Sequence, residues 1–264
     1  MRRHQAVAGY FYPSDKKELL DFFRSNELSA EKTDACAVIV PHAGYIYSGA
    51  TAVKTLSKVN IPDTVILLGP NHTGAGAGIS VYPEGEWQTP LGDVPTDDDI
   101  ITELTISPLF TRDDRAHQRE HSLEVIVPML RYFNPDVKIV CVTMKYMDIK
   151  RVHDAADVLF SVLNGKKCLI VVSSDFNHFE NAGITEKKDD IAIDSLIKMD
   201  ENLLFQRVID YNISMCGFIP ACIGLICCKK AGAVIPELVE HTHSGYVSGD
   251  HEKVVGYAGL IFKK

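Results

Sequence analysis

Short, β-branched apolar runs alternate along the chain with segments of helical periodicity. The runs cover residues 37–40, 64–68, 137–143 and 168–172. Each has the length of a strand and is apolar throughout, which predicts a strand buried on both faces of a sheet. A further apolar run over 253–262 predicts one last strand that closes the sheet.

Apolar side chains recur at helical spacing between these runs, over residues 15–25, 121–133, 152–163 and 190–200. Strands that alternate with helices over the whole length are typical of an α/β layered sandwich, with a central mixed, mostly parallel sheet flanked by helices. Since no repeat, low-complexity tract or linker interrupts the pattern, we expect a single domain over residues 1–264.

Composition and charge exclude several classes of protein. The formal net charge of −8 argues against a nucleic-acid binder, which needs a basic face. No apolar run approaches the roughly 18–20 residues of a membrane span, so we expect no membrane insertion. Seven cysteines without a CxxC pair do not fit a secreted disulfide scaffold, and they predict a cytoplasmic location. The adjacent Cys227 and Cys228 are expected to be buried in a helix.

Three predicted strands each deliver a histidine within a few residues of their carboxyl ends. His42 follows the first strand, His72 the second, and His178 the strand over 168–172. In an open α/β sheet, ligands bind beyond the carboxyl ends of the strands. Glycine or proline near two of these histidines predicts tight turns that fix the side chains. We therefore expect a functional site at this edge of the sheet.

Two interpretations of His42 and His72 remain open from the residues alone. They could be imidazole ligands of one metal ion, carried by adjacent strands, or they could cap helices and bind loop carbonyls. Cys216 lies in a glycine- and proline-containing turn between two helical stretches. It could be a soft metal ligand or a reactive thiolate, or simply a small buried apolar residue.

Other polar residues could supply proton transfer at the same edge. Asp175 and His178 lie three residues apart in a turn or a first helical turn, so both could face one pocket, although Asp175 could also be a helix cap. His121 is expected in the first turn of the helix over 121–133, where the positive helix end lowers an imidazole pKa. The alternative for His121 is a surface position.

Motifs that span nearly the whole chain resemble the Memo family, the B protein of the AmmeMemoRadiSam type. The matching segments are AGYFYP (8–13), PHAGYIYSG (41–49), GPNH (69–72), WQTPLG (87–92), EHSLE (120–124), SSDFNH (173–178), CG (216–217) and VVGYA (254–258). The resemblance implies a fold similar to that of the class III extradiol dioxygenases of the LigB type, a LigB/phosphorylase-like architecture.

The resemblance also implies a mononuclear metal held by His42, His72 and Cys216, with Cys216 in the position of the dioxygenase carboxylate. It makes His178 the acid/base group, His121 a second pocket histidine and Asp175 a residue of the same pocket. Iron is the first candidate metal, and copper or zinc is the alternative because a thiolate is soft. AMMECR-type and radical-SAM proteins are implied as partners.

Three functions are compatible with this resemblance. The first is a redox enzyme acting on a small molecule, and the second is a non-catalytic module that binds peptide or phosphotyrosine-type ligands in a vestigial pocket. The third is an intact ring-cleaving dioxygenase, which ranks last because the carboxylate ligand is replaced. Whether the chain is an enzyme is left open at this point.

Overall fold

Parallel strands form the centre of the main sheet. The computed structural model describes residues 1–233 and 235–264. Its strands are β1 (Arg2–Arg3), β2 (Ala35–Val40), β3 (Thr64–Pro70), β4 (Ile79–Val81), β5 (Glu86–Trp87), β6 (Val94–Pro95), β7 (Thr111–Arg112), β8 (Lys138–Met144), β9 (Cys168–Ser173), β10 (His178–Glu180), β11 (Ile235–His243) and β12 (Val254–Lys263).

The strand order makes the sheet mixed. Across the described residues the order is β10-β12-β2-β9-β3-β8-β4-β7, with β11 paired to β12, and β1, β5 and β6 form a small separate sheet. Strands β2, β9, β3 and β8 run parallel to one another. Strand β12 is antiparallel to β2, and β4 is antiparallel to β8. The four central strands therefore end at one common edge, which we call the carboxyl edge.

Helices cover both faces of this sheet. They are α1 (Lys16–Asn26), α2 (Ala50–Ser57), α3 (Asp98–Leu104), α4 (Val127–Phe133), α5 (Ile149–Leu163), α6 (Ala182–Ile197), α7 (Glu201–Asp210), α8 (Phe218–Lys230) and α9 (Gly245–Ser248). Side chains of Asp15, Asp97, Asp148, Asn181 and Asp200 accept backbone N–H groups at the starts of α1, α3, α5, α6 and α7. These short polar residues therefore set where the helices begin.

Alternate residues of the central strands fill two separate hydrophobic layers. Ile39, Ile66 and Val172 belong to the layer that also contains buried residues of α5, α7 and α8. Val38 and Leu67 belong to the opposite layer, which includes buried residues of α1, α2 and α4. Burial on both faces explains why the central strands are apolar throughout. None of the helices in the described residues has the length and apolar character needed to cross a membrane.

The predicted fold class is confirmed, and the predicted central strands agree with the observed ones to within about two residues. Two helix boundaries are wrong. The helix predicted over 121–133 begins only at Val127, because residues 122–126 form turns instead. The helix predicted over 190–200 begins earlier, at Ala182, where Asn181 caps it. Strands β2 and β3 are also not adjacent, because β9 lies between them.

Candidate metal centre

His42 lies two residues beyond the end of β2 and is buried at the carboxyl edge. Its backbone N–H donates to Asp175 Oδ1 over 2.8 Å, which ties the loop after β2 to the loop after β9. Burial, followed by the charges of His72 and His121, holds the pKa of His42 well below its usual range. His42 is therefore neutral at neutral pH in the absence of a ligand.

The tautomer of His42 follows from the hydrogen bonds of Ser173. The Ser173 hydroxyl is 2.5 Å from the Ser122 carbonyl oxygen, which can only accept, so the hydroxyl proton points there. Ser173 Oγ also lies 2.7 Å from His42 Nδ1 and must accept from an Nδ1–H group. The lone pair of His42 is therefore on Nε2, which is the form that binds a metal.

His72 is held in the same tautomer by a buried carboxylate. Its Nδ1 lies 2.9 Å from Glu120 Oε1, and its backbone N–H donates to Glu120 Oε2 over 2.5 Å. Because the carboxylate only accepts hydrogen bonds, His72 carries its proton on Nδ1 and its lone pair on Nε2. The His72 side chain remains about one third exposed, so this ligand position is open to solvent.

Glu120 is almost completely buried, and its carboxylate collects several N–H donors. Besides His72, the backbone N–H groups of His121 and Ser122 donate to Oε1 over 2.9 and 3.0 Å. Burial alone raises the pKa of Glu120, but the hydrogen bonds from His72 and from the Ser122 backbone act in the opposite direction, and the pKa falls to about 2. Glu120 is thus an ionised group that orients one imidazole.

Sequence reasoning missed the roles of Glu120 and Ser173. Both residues lie inside segments that carry the family resemblance, EHSLE and SSDFNH. Metal-binding histidines usually donate their second ring N–H to a carboxylate or another acceptor. That rule and the motif positions are the signal that could have drawn attention to them.

Cys216 lies in the loop between α7 and α8, close to the end of β9. Its Sγ is 3.3 Å from His42 Nε2 and accepts the backbone N–H of Asp175 over 3.3 Å. A Cβ atom at Gly217 would lie 2.5 Å from both the Ser173 carbonyl oxygen and Ser174 Cβ. The glycine is what allows this loop to approach β9 closely enough to bring the thiol beside His42.

Ligand atoms of His42, His72 and Cys216 all lie within 4.8 Å of one another. Tetrahedral coordination with ordinary zinc–nitrogen and zinc–sulfur bond lengths separates a nitrogen and a sulfur ligand by roughly 3.5 Å. The observed 3.3 Å between Cys216 Sγ and His42 Nε2 is close to that value. The donor set, its spacing and its tautomers therefore fit a mononuclear transition metal.

His121 stands beside the ligand cluster, but not on a helix. It precedes the turns at 122–126, and α4 begins only at Val127. Its ring stacks on His72 with centroids 4.8 Å apart and contacts Phe11 at 4.6 Å. Its pKa is lowered, as the sequence predicts, but burial is the main cause rather than a helix end.

Asp175 also lies in the cluster, as a buried carboxyl group in the loop after β9. Its Oδ2 is 3.9 Å from His42 Nε2. Burial raises the pKa of Asp175, although the backbone N–H groups of His42 and Ala43 act in the opposite direction. The carboxyl group therefore holds a proton more readily than an exposed aspartate does.

His178 lies at the start of β10, not in a helical turn. Its backbone N–H donates to Ser214 Oγ over 2.7 Å, and its Nδ1 donates to the Ser214 carbonyl oxygen over 2.9 Å. The Nε2 atom therefore carries the lone pair. A positive charge on His178 lowers the pKa of both His42 and Asp175, so this residue is within electrostatic range of the cluster, yet it does not belong to the three-ligand group.

Comparisons with known proteins give one consistent result. The family model described as "Memo-like protein" matches residues 3–261. The chain is 41% identical over 264 residues to a "MEMO1 family protein" of Aquifex aeolicus (strain VF5), with 98% of each chain covered. It is 38% identical over 283 residues to a "MEMO1 family protein" of Methanobrevibacter smithii, with 100% of each chain covered.

Proposed function

The chain belongs to the Memo-like protein family, and from that premise we propose that it binds one transition-metal ion through His42, His72 and Cys216 and acts in redox chemistry on a small molecule. The observation that carries this proposal is the shared tautomer of the two imidazoles. Ser173 and Glu120 each accept a hydrogen bond from the Nδ1–H group of one imidazole. The Nε2 lone pairs of His42 and His72 are therefore both free beside one thiol.

The ligand set favours a metal that accepts both nitrogen and sulfur donors. Iron is our first candidate, and copper or zinc is the alternative because a thiolate is softer than the carboxylate it replaces. When bound, such a metal would act as a Lewis acid or an electron carrier for a substrate that reaches the exposed side of His72.

The remaining polar groups of the site would handle protons and orientation. Asp175 is proposed to hold a proton next to His42, because burial favours its neutral form. His121 is proposed to contact the bound substrate, because its ring stacks on the exposed ligand His72. His178, whose Nε2 lone pair is free, is proposed as the group that accepts a proton from the substrate.

Metal content tests the proposal directly. Protein purified without chelators should contain roughly one equivalent of metal per chain, and Cys216→Ser and His42→Ala should each lose most of it. Cys141→Ser is the matched control, because this thiol is buried in β8 and belongs to none of the candidate ligand groups, so the metal content should not change. A thiolate-to-metal absorption band that disappears only in Cys216→Ser gives a second readout. Wild-type protein that takes up no iron, copper or zinc on titration would contradict the proposal.

A second candidate function rests on exposed apolar side chains next to site residues. Four apolar side chains are exposed: Tyr10, Ile46, Tyr47 and Phe179. In the sequence, Ile46 and Tyr47 follow His42 by a few residues, and Phe179 comes directly after His178. Such a rim favours a module that binds peptide or phosphotyrosine-type ligands. Peptide binding that survives both Cys216→Ser and His178→Ala, in a protein without turnover, would favour the module. The partnership with AMMECR-type and radical-SAM proteins stays a prediction from the resemblance.

A further inference from the structure

A cavity of about 450 Å³ lies at the end of the sheet opposite the carboxyl edge. Four thiols line it, and we call it the thiol cavity. Cys36 lies near the start of β2 and Cys168 starts β9, while Cys227 and Cys228 lie in the last turns of α8. The exposed Lys166, Lys167 and Lys264 and the loop at 164–165 also line it, which opens it to solvent.

Two of these thiols lie close to each other. Cys36 and Cys228 line the same cavity and belong to the same buried layer, where α8 packs against β2. They are close enough that each shifts the pKa of the other. The neighbouring Cys227 is bound elsewhere, because its Sγ donates to the Ala156 carbonyl oxygen of α5 over 3.7 Å.

This proximity also makes the two thiols unequal. Interaction with Cys228, helped by the charge of Lys264 and opposed by burial, lowers the pKa of Cys36 to about 7. Interaction with Cys36, together with burial, raises the pKa of Cys228 well above its usual value. A more readily ionised thiol thus lies near a protonated one, which is the pairing that thiol oxidation requires.

We propose that Cys36 and Cys228 form a dithiol that small hydroperoxides oxidise to a disulfide. The Cys36 thiolate attacks the terminal oxygen of hydrogen peroxide, the O–O bond breaks, and hydroxide leaves as Cys36 becomes a sulfenic acid. Cys228 sulfur then attacks Cys36 sulfur, and the S–O bond breaks. The thiol proton of Cys228 goes to the departing oxygen, and the hydroxide released in the first step takes up the proton that Cys36 lost on ionisation. Two thiols and one peroxide therefore give one disulfide and two waters.

A metal site is the weaker interpretation of the same cavity. Among the described residues, the sets of three ligand atoms lying within 4.8 Å of one another include none of these four thiols. A disulfide needs only two neighbouring thiols, and Cys36 and Cys228 on the cavity wall are the pair that the proposal uses. The site is also independent of His42, His72 and Cys216, which lie at the other end of the sheet.

Peroxide titration of the full-length protein, followed by alkylation and peptide mapping, tests the proposal without any variant. At peroxide concentrations that leave Cys141 unmodified, we expect a Cys36–Cys228 disulfide that dithiothreitol reverses. In Cys228→Ser, the sulfenic acid on Cys36 should become trappable with dimedone, because its resolving thiol is missing. In the matched control Cys227→Ser, the disulfide should form as it does in wild type.

Three results would overturn the inference. One is a wild-type protein in which Cys36 keeps its free thiol at peroxide concentrations that already oxidise Cys141. The second is a disulfide from Cys36 to Cys227 or Cys168 in place of Cys228. The third is a Cys227→Ser protein, folded by circular dichroism, that forms no disulfide. None of these results depends on metal binding, so failure here and failure of the proposed metal site can be told apart.

Discussion

Cysteine occurs at both ends of the central sheet, but the two ends surround it with different groups. At the carboxyl edge, Cys216 faces an imidazole lone pair and a backbone N–H. In the thiol cavity, Cys36 faces another thiol and a lysine. The first environment suits a metal ligand and the second suits oxidation to a disulfide. The groups around a cysteine therefore decide its chemistry.

The two ends also differ in what supports them. At the carboxyl edge, buried charged groups hold the loops together. Arg3 donates to Glu124 Oε2 over 2.8 Å, to the His117 carbonyl oxygen over 2.8 Å and to the Glu120 carbonyl oxygen over 2.7 Å. Around the thiol cavity, apolar side chains such as Phe160, Leu163 and Ile170 form much of the wall. Changes to charged groups should therefore damage the first end more than the second.

The largest expected effect comes from Arg3→Met. The substitution leaves Glu124 buried without its positive partner, and losing one member of a buried pair costs about 3–5 kcal/mol of the free energy of unfolding. Urea denaturation measures that loss. Because Arg3 also supports the backbone of Glu120, metal content should fall as well, whereas peroxide oxidation of Cys36 in the folded protein should not change.

Arg2→Met is the matched control on the same short strand. Arg2 forms salt bridges with Glu86 and Asp93, but its side chain is 47% exposed. Exposed pairs contribute about 0–1 kcal/mol, so this variant should be nearly as stable as wild type. Equal losses in the two variants would contradict the view that buried charge supports the carboxyl edge.

Most of the fold could be predicted from the sequence, because the central strands are buried on both faces and their apolar runs are unambiguous. The helix predicted over 121–133 was wrong at its start because a side chain competes for the backbone N–H groups there. The Glu120 carboxylate accepts the N–H groups of His121 and Ser122, and residues 122–126 form turns. The spacing of apolar residues contains no information about such a side-chain contact.

The candidate site was less predictable than the fold. His42, His72 and Cys216 could be singled out because they follow strand ends or lie in a glycine turn. Their supporting groups could not, because Glu120 and Ser173 act through contacts between loops that are distant in the chain. The proximity of Cys36 and Cys228 could not be predicted from the sequence either, because it depends on how α8 packs on β2.

The loss of stability at acid pH should involve the same buried polar groups, through His117. His117 is fully buried, and its Nε2–H donates to the Ser80 carbonyl oxygen over 3.1 Å. Burial, and then the charge of Arg3, lower the pKa of His117 from 6.5 to about 3. As the pH falls, His117 is therefore protonated in the unfolded chain first. The contribution of His117 to the free energy of unfolding is complete above pH 6.5 and is lost as the pH falls towards 3.

His117→Gln keeps an N–H donor for Ser80 but removes the titrating group. Wild type should lose about 2 kcal/mol of the free energy of unfolding between pH 6.5 and pH 5 through this residue. The free energy of unfolding of the variant should fall by about 2 kcal/mol less over the same pH interval. Urea denaturation at several pH values measures this difference. Parallel pH profiles for the two proteins would show that His117 is not the group responsible.

The most local of the expected effects concerns Gly217. In Gly217→Ala, the new methyl group would lie 2.5 Å from the Ser173 carbonyl oxygen and from Ser174 Cβ, so the loop that carries Cys216 must move away from β9. Such overpacking costs about 1–3 kcal/mol, and it should weaken metal binding more than it weakens the fold.

Gly183→Ala is the matched control, because that glycine lies in α6 with no atom closer than 3.8 Å to the added Cβ. The control should gain up to about 1 kcal/mol in the free energy of unfolding. A Gly217→Ala protein with full metal content would mean that Cys216 can reach the imidazoles without this close approach, and the carboxyl edge would then be more adaptable than its buried contacts indicate.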